Sequence, residues 1–113
     1  MYYVYVLRCS DSSLYCGYTT DVLHRLSAHL GKVPGGAKYT RSHRPVRYEI
    51  VWKTSCKESA LKLEAQFKKI PKSEKEFLIA GSGNFETVFG DKLNADDYER
   101  AAEYERSLIE SQE

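Results

Sequence analysis

The sequence feature that most constrains the fold is the stretch from residue 2 to residue 30, YYVYVLRCSDSSLYCGYTTDVLHRLSAHL. Two β-prone runs flank a short polar segment, and this pattern predicts a β-hairpin. If the turn centres on Asp11, Tyr5 lies opposite Gly17 on one face of the hairpin. A glycine beside a phenol leaves open space, which is more useful in a pocket than in a core.

A helix pattern follows the hairpin directly. Its apolar stripe contains four residues at helical spacing: Val22, Leu23, Leu26 and Leu30. Arg25 and His29 lie one turn apart at the border of that stripe, so the helix should bring both side chains beside the sheet. Two simpler alternatives stay open, since Arg25 could pair with Asp21 at i−4 and Tyr5 could be an ordinary core aromatic.

These residues resemble the signature of the GIY-YIG nucleases, and in particular the small standalone single-domain members. The resemblance rests on four features in order: Tyr3-Val4-Tyr5, Tyr15-Cys16-Gly17, Arg25 and His29. The chain departs from the family at two points, because Tyr3 stands where the first tripeptide has glycine and Cys16 replaces an apolar residue.

The resemblance implies an endonuclease that hydrolyses phosphodiester bonds, with Tyr5 as the general base or water-orienting phenol. It implies that Tyr15 holds the phosphate or the nucleophile, that Arg25 stabilises the transition state, and that His29 assists proton movement or contacts the phosphate. It further implies that Tyr39 lies close by. A phenol is an awkward base at neutral pH, given its reference pKa of about 10, although a nearby Arg25 favours the phenolate.

The metal site that the resemblance implies is one Mg²⁺ or Mn²⁺ ion on Glu64. Glu64 lies at the edge of the apolar stripe of a helix predicted from a Ser55/Glu58 capping box to Ile70. A carboxylate in that position needs a partner, and Lys68 at i+4 is the alternative to a metal ion.

The net charge of +1 hides a strong asymmetry along the chain. Residues 1–80 carry a net charge of +7 and residues 81–113 carry −6. A basic body indicates a polyanionic partner, and the resemblance makes that partner nucleic acid, with DNA favoured. A solvated basic surface without a partner is the alternative.

The segment after the first helix, KVPGGAKYTRSHR from residue 32 to 44, concentrates part of that charge. Basic residues interleaved with Tyr39 suit phosphate contact and base stacking. The predicted nucleic-acid-binding residues are Gly17, Lys38, Arg41 and Arg44. The glycines do not indicate a P-loop, because no Gly-Lys-Ser/Thr follows.

The remaining pattern predicts a third strand over residues 46–54 and a short helix over residues 74–80 that starts from a Ser73/Glu76 capping box. The fold class is α/β in the sense of an α+β sandwich, with a three-stranded antiparallel sheet flanked by helices. We expect a GIY-YIG-type domain over residues 1–83 and an acidic C-terminal extension over residues 84–113, helical from Asn94. Asn84 is a candidate for a further site residue.

Three cysteines without a CxxC spacing indicate a reduced, cytoplasmic setting. No apolar run has the roughly 18 residues of a membrane helix, and no signal-peptide region is visible. We therefore expect a monomer without membrane contact, and a partner protein is compatible with the sequence.

Two other functions stay open beside the nuclease. One is a nucleic-acid-binding module that has the fold but little or no catalysis. The other is a zinc-stabilised adaptor that uses cysteines with His24 or His29, although these spacings match no common structural site.

Overall fold

The hairpin at the start of the chain forms with the predicted register. In the computed structural model, which describes residues 1–32 and 34–105, Tyr5 lies opposite Gly17. Each strand pairs antiparallel with its neighbour. The strands are β1 Tyr2–Cys9, β2 Leu14–Thr19, β3 Pro45–Thr54 and β4 Glu99–Arg100, in the spatial order β2-β1-β3-β4.

Five α-helices and three single 3-10 turns surround this sheet in the described part of the chain. The helices are α1 Val22–His29, α2 Lys38–Ser42, α3 Lys57–Lys69, α4 Lys72–Ala80 and α5 Phe85–Phe89. The turns are Ser82–Asn84, Ala95–Asp97 and Ala102–Tyr104. None of the helices among these residues combines the length and the apolar character that crossing a bilayer demands.

Strand β1 is the centre of the sheet and is buried on both faces. Val4 and Val6 face a layer built from α3, α4 and α5. Tyr5 and Leu7 face the other way, toward α1. The alternation of the sequence thus produces two cores, and it places the phenol of Tyr5 on the side of α1.

The sheet has four strands, and the expected three-stranded sheet is wrong in that respect. Glu99 and Arg100 pair with Lys53 and Trp52 at the free edge of β3. Two residues are too few to show an alternating pattern in the sequence, so the strand gave no local signal.

The C-terminal segment is also not the helix that was expected from Asn94. Residues 95–105 form two 3-10 turns and strand β4, and residues 106–113 lie outside the described residues. The Glu105 carboxylate accepts a hydrogen bond from the backbone N–H of Val51 and pairs with Arg100. Glu99 and Glu105 thus contact the edge strand β3 instead of continuing a helix. The boundary at residue 83 stays a prediction.

Both predicted capping boxes are wrong, although the two helices that they predicted do form. Helix α3 follows Cys56 and α4 follows Pro71, and neither start has a side-chain cap. Glu76 is drawn away from its own helix start because both its oxygens accept from Arg8 at 2.6 Å. On α1, Leu23 is 52% exposed rather than part of the buried stripe, and His29 is buried in its place.

The buried carboxylate of Glu49 on β3 connects this strand to Arg8 on β1. The side chain of Glu49 is 3% exposed and accepts hydrogen bonds from Arg8 and Arg47, each at 2.9 Å. Burial disfavours its charge, but the bonds from the two guanidinium groups outweigh burial and lower the pKa of Glu49. The same Arg8 reaches Glu76 on α4, so one ion network connects the sheet to that helix.

Replacing Glu49 by Gln should therefore lower the free energy of unfolding by roughly 2 to 3 kcal/mol, because two guanidinium groups lose their shared charge. A depressed carboxyl pKa contributes stability above the unfolded value near 4.5, and this contribution is lost as pH falls through the folded pKa. Urea titrations at pH 7 and below pH 4.5 measure both effects. The exposed Asp91→Asn is the control, and an E49Q variant as stable as the parent at pH 7 would contradict the assignment.

Candidate functional site

The pairing of Tyr5 with Gly17 is a direct contact and leaves no open space. A Cβ on Gly17 would lie 2.5 Å from Tyr5 Oη and 2.8 Å from Tyr5 Cζ. Tyr5 is fully buried, with its ring packed edge-on against Tyr48. The expected space beside the phenol is thus filled by the phenol itself, and only glycine at position 17 permits that placement.

The Tyr5 hydroxyl is the point at which strand β1 and helix α1 meet. Its Oη lies 2.6 Å from His29 Nε2 and accepts a hydrogen bond from Arg25 Nε at 3.1 Å. Arg25 and His29 occupy the predicted border of α1, one turn apart, so a single helix face delivers both groups to the same phenol.

Thr40 on α2 fixes the direction of the bond between Tyr5 and His29. The Thr40 hydroxyl donates to the carbonyl oxygen of Ala37 at 2.9 Å, so its lone pair faces His29 Nδ1, also at 2.9 Å. His29 Nδ1 must then carry the proton and donate to Thr40. In the neutral ring Nε2 is left with a lone pair, and Tyr5 donates its hydroxyl proton to it.

Burial decides the protonation states of this pair. Burial first, and the positive charge of Arg25 second, lower the pKa of His29 to about 4, so the imidazole is neutral at pH 7. Burial also raises the pKa of Tyr5 well above its usual value, and this outweighs the opposing effect of Arg25. Arg25 favours the phenolate, as expected, but burial outweighs it, so Tyr5 is a neutral phenol in the resting site.

Arg25 is held by Tyr5 and Gly35 and does not pair with Asp21. Besides its bond to Tyr5, it donates from Nη1 to the carbonyl oxygen of Gly35. Asp21 instead caps α1 by accepting from the backbone N–H of His24 at 3.0 Å. The guanidinium is half-buried, so this cation is already oriented at the surface of the site.

An aromatic stack leads from this cluster toward the surface. The Tyr15 ring packs edge-on against His29 and stacks on Tyr39 at a centroid distance of 5.6 Å. Tyr39 in turn stacks on His43 at 4.0 Å with an interplanar angle of 15°. The structure thus brings together all five predicted catalytic residues: Tyr5, Tyr15, Arg25, His29 and Tyr39.

Glu64 lies on α3, beside the buried Leu63 and itself only partly buried. Helix α3 packs on β1 and β2 from the side of Val4 and Cys16, opposite to Tyr5. Glu64 forms the ion pair with Lys68 that was the alternative to a metal ion, with 3.4 Å between Oε2 and Nζ. Its charge acts on the buried Cys16 thiol, where burial first and Glu64 second raise the pKa to about 12. The approach of Glu64 to the Tyr5 cluster therefore stays a prediction.

The predicted phosphate-binding cations Lys38, Arg41 and Arg44 are exposed on and beside α2. Arg41 and Arg44 line a cleft of about 410 Å³ together with His29 and Thr40. Gly17, predicted with them, instead has a packing role beneath Tyr5. The cations lie next to the catalytic candidates, as a polyanionic ligand would require.

The candidate residues that sequence reasoning missed are Thr40, His43 and Asp11. The only sequence signal for Thr40 was its position next to Tyr39. Both lie on a five-residue helix, which is too short to show a periodic pattern. His43 and Asp11 meet across 32 residues of chain, with 2.7 Å between Nδ1 and Oδ2. Asn84, the further candidate, donates to the carbonyl oxygen of Phe77 instead.

Comparison with known proteins now places the chain. A family model described as "GIY-YIG catalytic domain" matches residues 1–76, which include every residue of the Tyr5 cluster. The chain belongs to the GIY-YIG family. The match ends within α4, so α5 and β4 lie beyond the GIY-YIG domain that the family model describes.

Several GIY-YIG relatives resemble the chain closely. A UPF0213 protein of Halalkalibacterium halodurans is 43% identical over 83 residues, which cover 73% of this chain and 85% of the relative. A UPF0213 protein of Vibrio cholerae is 41% identical over 90 residues, which cover 77% of this chain and 85% of the relative. The solution NMR structure of a UPF0213 protein from Bacillus halodurans is 38% identical, covering 83% of this chain and all of that one, with a TM-score of 0.45.

We expect Gly17→Ala to displace the Tyr5 ring, because the added Cβ would overlap the phenol at 2.5 Å. Overpacking of this kind costs about 1 to 3 kcal/mol of stability. Thermal unfolding and the NMR signals of His29 report the change. Gly83→Ala is the matched control, since its added Cβ has no neighbour within 4 Å. An unperturbed His29 in the Gly17 variant would refute the contact.

Thr40→Val should remove the acceptor for His29 Nδ1 and leave a buried N–H without a partner, at a cost of about 1 to 3 kcal/mol. Thr40→Ser keeps the hydroxyl and should behave as the parent. The tautomer of His29, read from its two ring ¹⁵N shifts at pH 7, distinguishes the variants. A purely Nδ1–H ring in T40V would show that Thr40 does not set the tautomer.

Proposed function

We propose that this chain is a metal-dependent endonuclease that hydrolyses phosphodiester bonds of nucleic acid, with DNA favoured and with selectivity for structure rather than sequence. The observation that supports it most is the hydrogen-bonded cluster of Tyr5, His29 and Arg25 within a GIY-YIG catalytic domain. Such domains belong to a nuclease family, so the site and the family point to the same chemistry.

Arg25 is the group that contacts the scissile phosphate in this proposal. Its guanidinium remains charged, because its hydrogen bond to Tyr5 and the neighbouring phenols outweigh burial and raise the pKa of Arg25. A planar, forked donor suits two phosphate oxygens and the charge that builds up on them in the transition state. Tyr5 and Gly35 hold it at the surface of the site until the substrate arrives.

Tyr5 and His29 form the proton path. A water molecule that attacks phosphorus gives a proton to Tyr5 Oη while the phenol passes its own proton to His29 Nε2. The P–O bond to the leaving oxygen breaks, that oxygen takes a proton from solvent, and His29 then releases its extra proton to solvent. Because Tyr5 is buried beneath Arg25, the guanidinium must shift toward the phosphate before water can reach Oη.

Glu64 is the residue that would hold the Mg²⁺ or Mn²⁺ ion. Its carboxylate is a hard oxygen donor with a side chain 18% exposed, and magnesium sites commonly use one or two carboxylates with water and phosphate as the other ligands. Within residues 1–32 and 34–105, no group of three or more acidic, histidine or cysteine side chains forms a cage, so Glu64 would be joined by water and phosphate rather than by other side chains. When bound, the ion would stabilise negative charge on the phosphate oxygens.

A nucleic-acid-binding module without catalysis is the second candidate. The observation that favours it is the closed state of Tyr5, whose hydroxyl is buried and fully engaged by His29 and Arg25. The zinc adaptor loses support, because both ring nitrogens of His29 already have partners in Tyr5 and Thr40.

The nuclease proposal predicts that Tyr5→Phe reduces cleavage at least about 100-fold, since the hydroxyl that moves the proton is gone. Tyr48→Phe is the matched control, because Tyr48 is an equally buried phenol on the same face that only donates to the carbonyl oxygen of Val22. Both variants are assayed on single-stranded, duplex and branched DNA with Mg²⁺ or Mn²⁺.

Glu64→Gln should abolish cleavage that depends on the added metal and leave the thermal unfolding temperature almost unchanged. Line broadening of NMR signals near residue 64 by Mn²⁺ measures binding without reference to activity. Equal cleavage by Y5F, E64Q and the parent would end the nuclease proposal. Binding of DNA by all three without cleavage would favour the second candidate.

A further inference from the structure

His43 closes the aromatic stack that begins at Tyr15. It lies four residues after Tyr39, at the C-terminal cap of α2, so the two rings stack through helical spacing. Tyr15 also stacks on Tyr39, at a centroid distance of 5.6 Å. One face of the imidazole is therefore used by Tyr39, and the opposite face is the end of the stack.

The orientation of this last ring is fixed from outside α2. Asp11, in the turn between β1 and β2, accepts from His43 Nδ1 at 2.7 Å. Hydrogen bonds from Ser13 first, and from His43 next, hold the pKa of Asp11 well below its usual range, so the carboxylate stays ionised. Asp11 also accepts from the backbone N–H of Ser13 at 3.0 Å, which ties its carboxylate to the turn.

Packing alone does not account for this arrangement. The His43 side chain is 34% exposed although one ring face is stacked and one ring nitrogen is bonded. Its neighbours in the chain, Arg41 and Arg44, are exposed cations that suit a phosphate backbone. A flat, partly open, oriented aromatic ring between cations is the combination that binds single-stranded nucleic acid.

We propose that the face of His43 turned away from Tyr39 is a stacking platform for one nucleobase of the bound strand. This inference rests on the proposed function and refines it. A base inside a regular duplex has both faces covered by its neighbours, so the platform takes a base that is unstacked, as in a single strand, a branch or a flipped nucleotide. The platform thereby gives the site a physical reason to select nucleic-acid structure rather than sequence.

A comparison of normal and base-free oligonucleotides tests the platform. Binding of the full chain to a fluorescent deoxyadenosine 12-mer and to a wholly abasic 12-mer is measured in EDTA, where no cleavage is needed. His43→Ala should weaken binding to the deoxyadenosine 12-mer about 5- to 100-fold, the range expected for one base stacked on an aromatic ring. Binding to the abasic 12-mer should not change, because that strand has no base to stack.

Two further variants separate stacking from other roles of His43. His43→Phe keeps a flat ring without a charge and should restore most of the affinity for the deoxyadenosine 12-mer. His24→Ala, which removes an exposed histidine on α1, should leave both affinities as in the parent. Circular dichroism confirms that each variant is folded.

Each other outcome overturns the platform in a recognisable way. Equal loss on both strands in His43→Ala would mean that His43 contacts the backbone. Unchanged binding in His43→Ala would mean that the stack only packs α2 against the hairpin. Failure of the parent to bind either strand would refute the platform, whereas the proposed function stands or falls separately with the cleavage assays on duplex and branched DNA.

Discussion

The structure depends on the hydrogen bond between Tyr5 and His29, because it joins the central strand to the helix that packs over it. The bond exists only where three conditions meet: a glycine at position 17 admits the phenol, α1 places His29 one turn after Arg25, and Thr40 keeps the proton on Nδ1. Gly17 lies on β2, His29 on α1 and Thr40 on α2, so this one hydrogen bond constrains the sheet and both helices on that face. A site of this kind is rigid because its own packing makes it so.

Burial and charge compete at the same phenol, and burial prevails in the resting state. Arg25 donates to Tyr5 and favours its ionised form, yet the fully buried hydroxyl keeps a raised pKa. This outcome divides the labour within the site. Arg25 supplies a permanent charge at the surface, while Tyr5 and His29 are neutral partners through which a proton can pass only when substrate changes the local field.

Local spacing in the sequence was sufficient to predict the register of the hairpin and the position of Arg25 and His29 on the same border of α1. The same holds for the ion pair between Glu64 and Lys68, which are four residues apart. Local spacing was insufficient where contacts between distant residues determine the structure. Glu76 leaves its expected capping position for Arg8, 68 residues away, and Glu105 bonds the backbone of Val51 across 54 residues. These distant contacts form because a guanidinium or an unpaired strand N–H offers a carboxylate a better hydrogen-bond partner than a helix start does. The periodicity of the sequence cannot predict them.

The closure of β3 by the C-terminal segment has a consequence for how the chain comes to be folded. Strand β3 is complete at Thr54, but the residues that cover its outer edge begin at Glu99. A chain that emerges from its N-terminus therefore exposes an unpaired strand edge during the whole interval between these two points. Open edges of that kind recruit other strands. Until Glu99 and Arg100 are made, the edge of β3 at Trp52 and Lys53 is open to pairing with other strands.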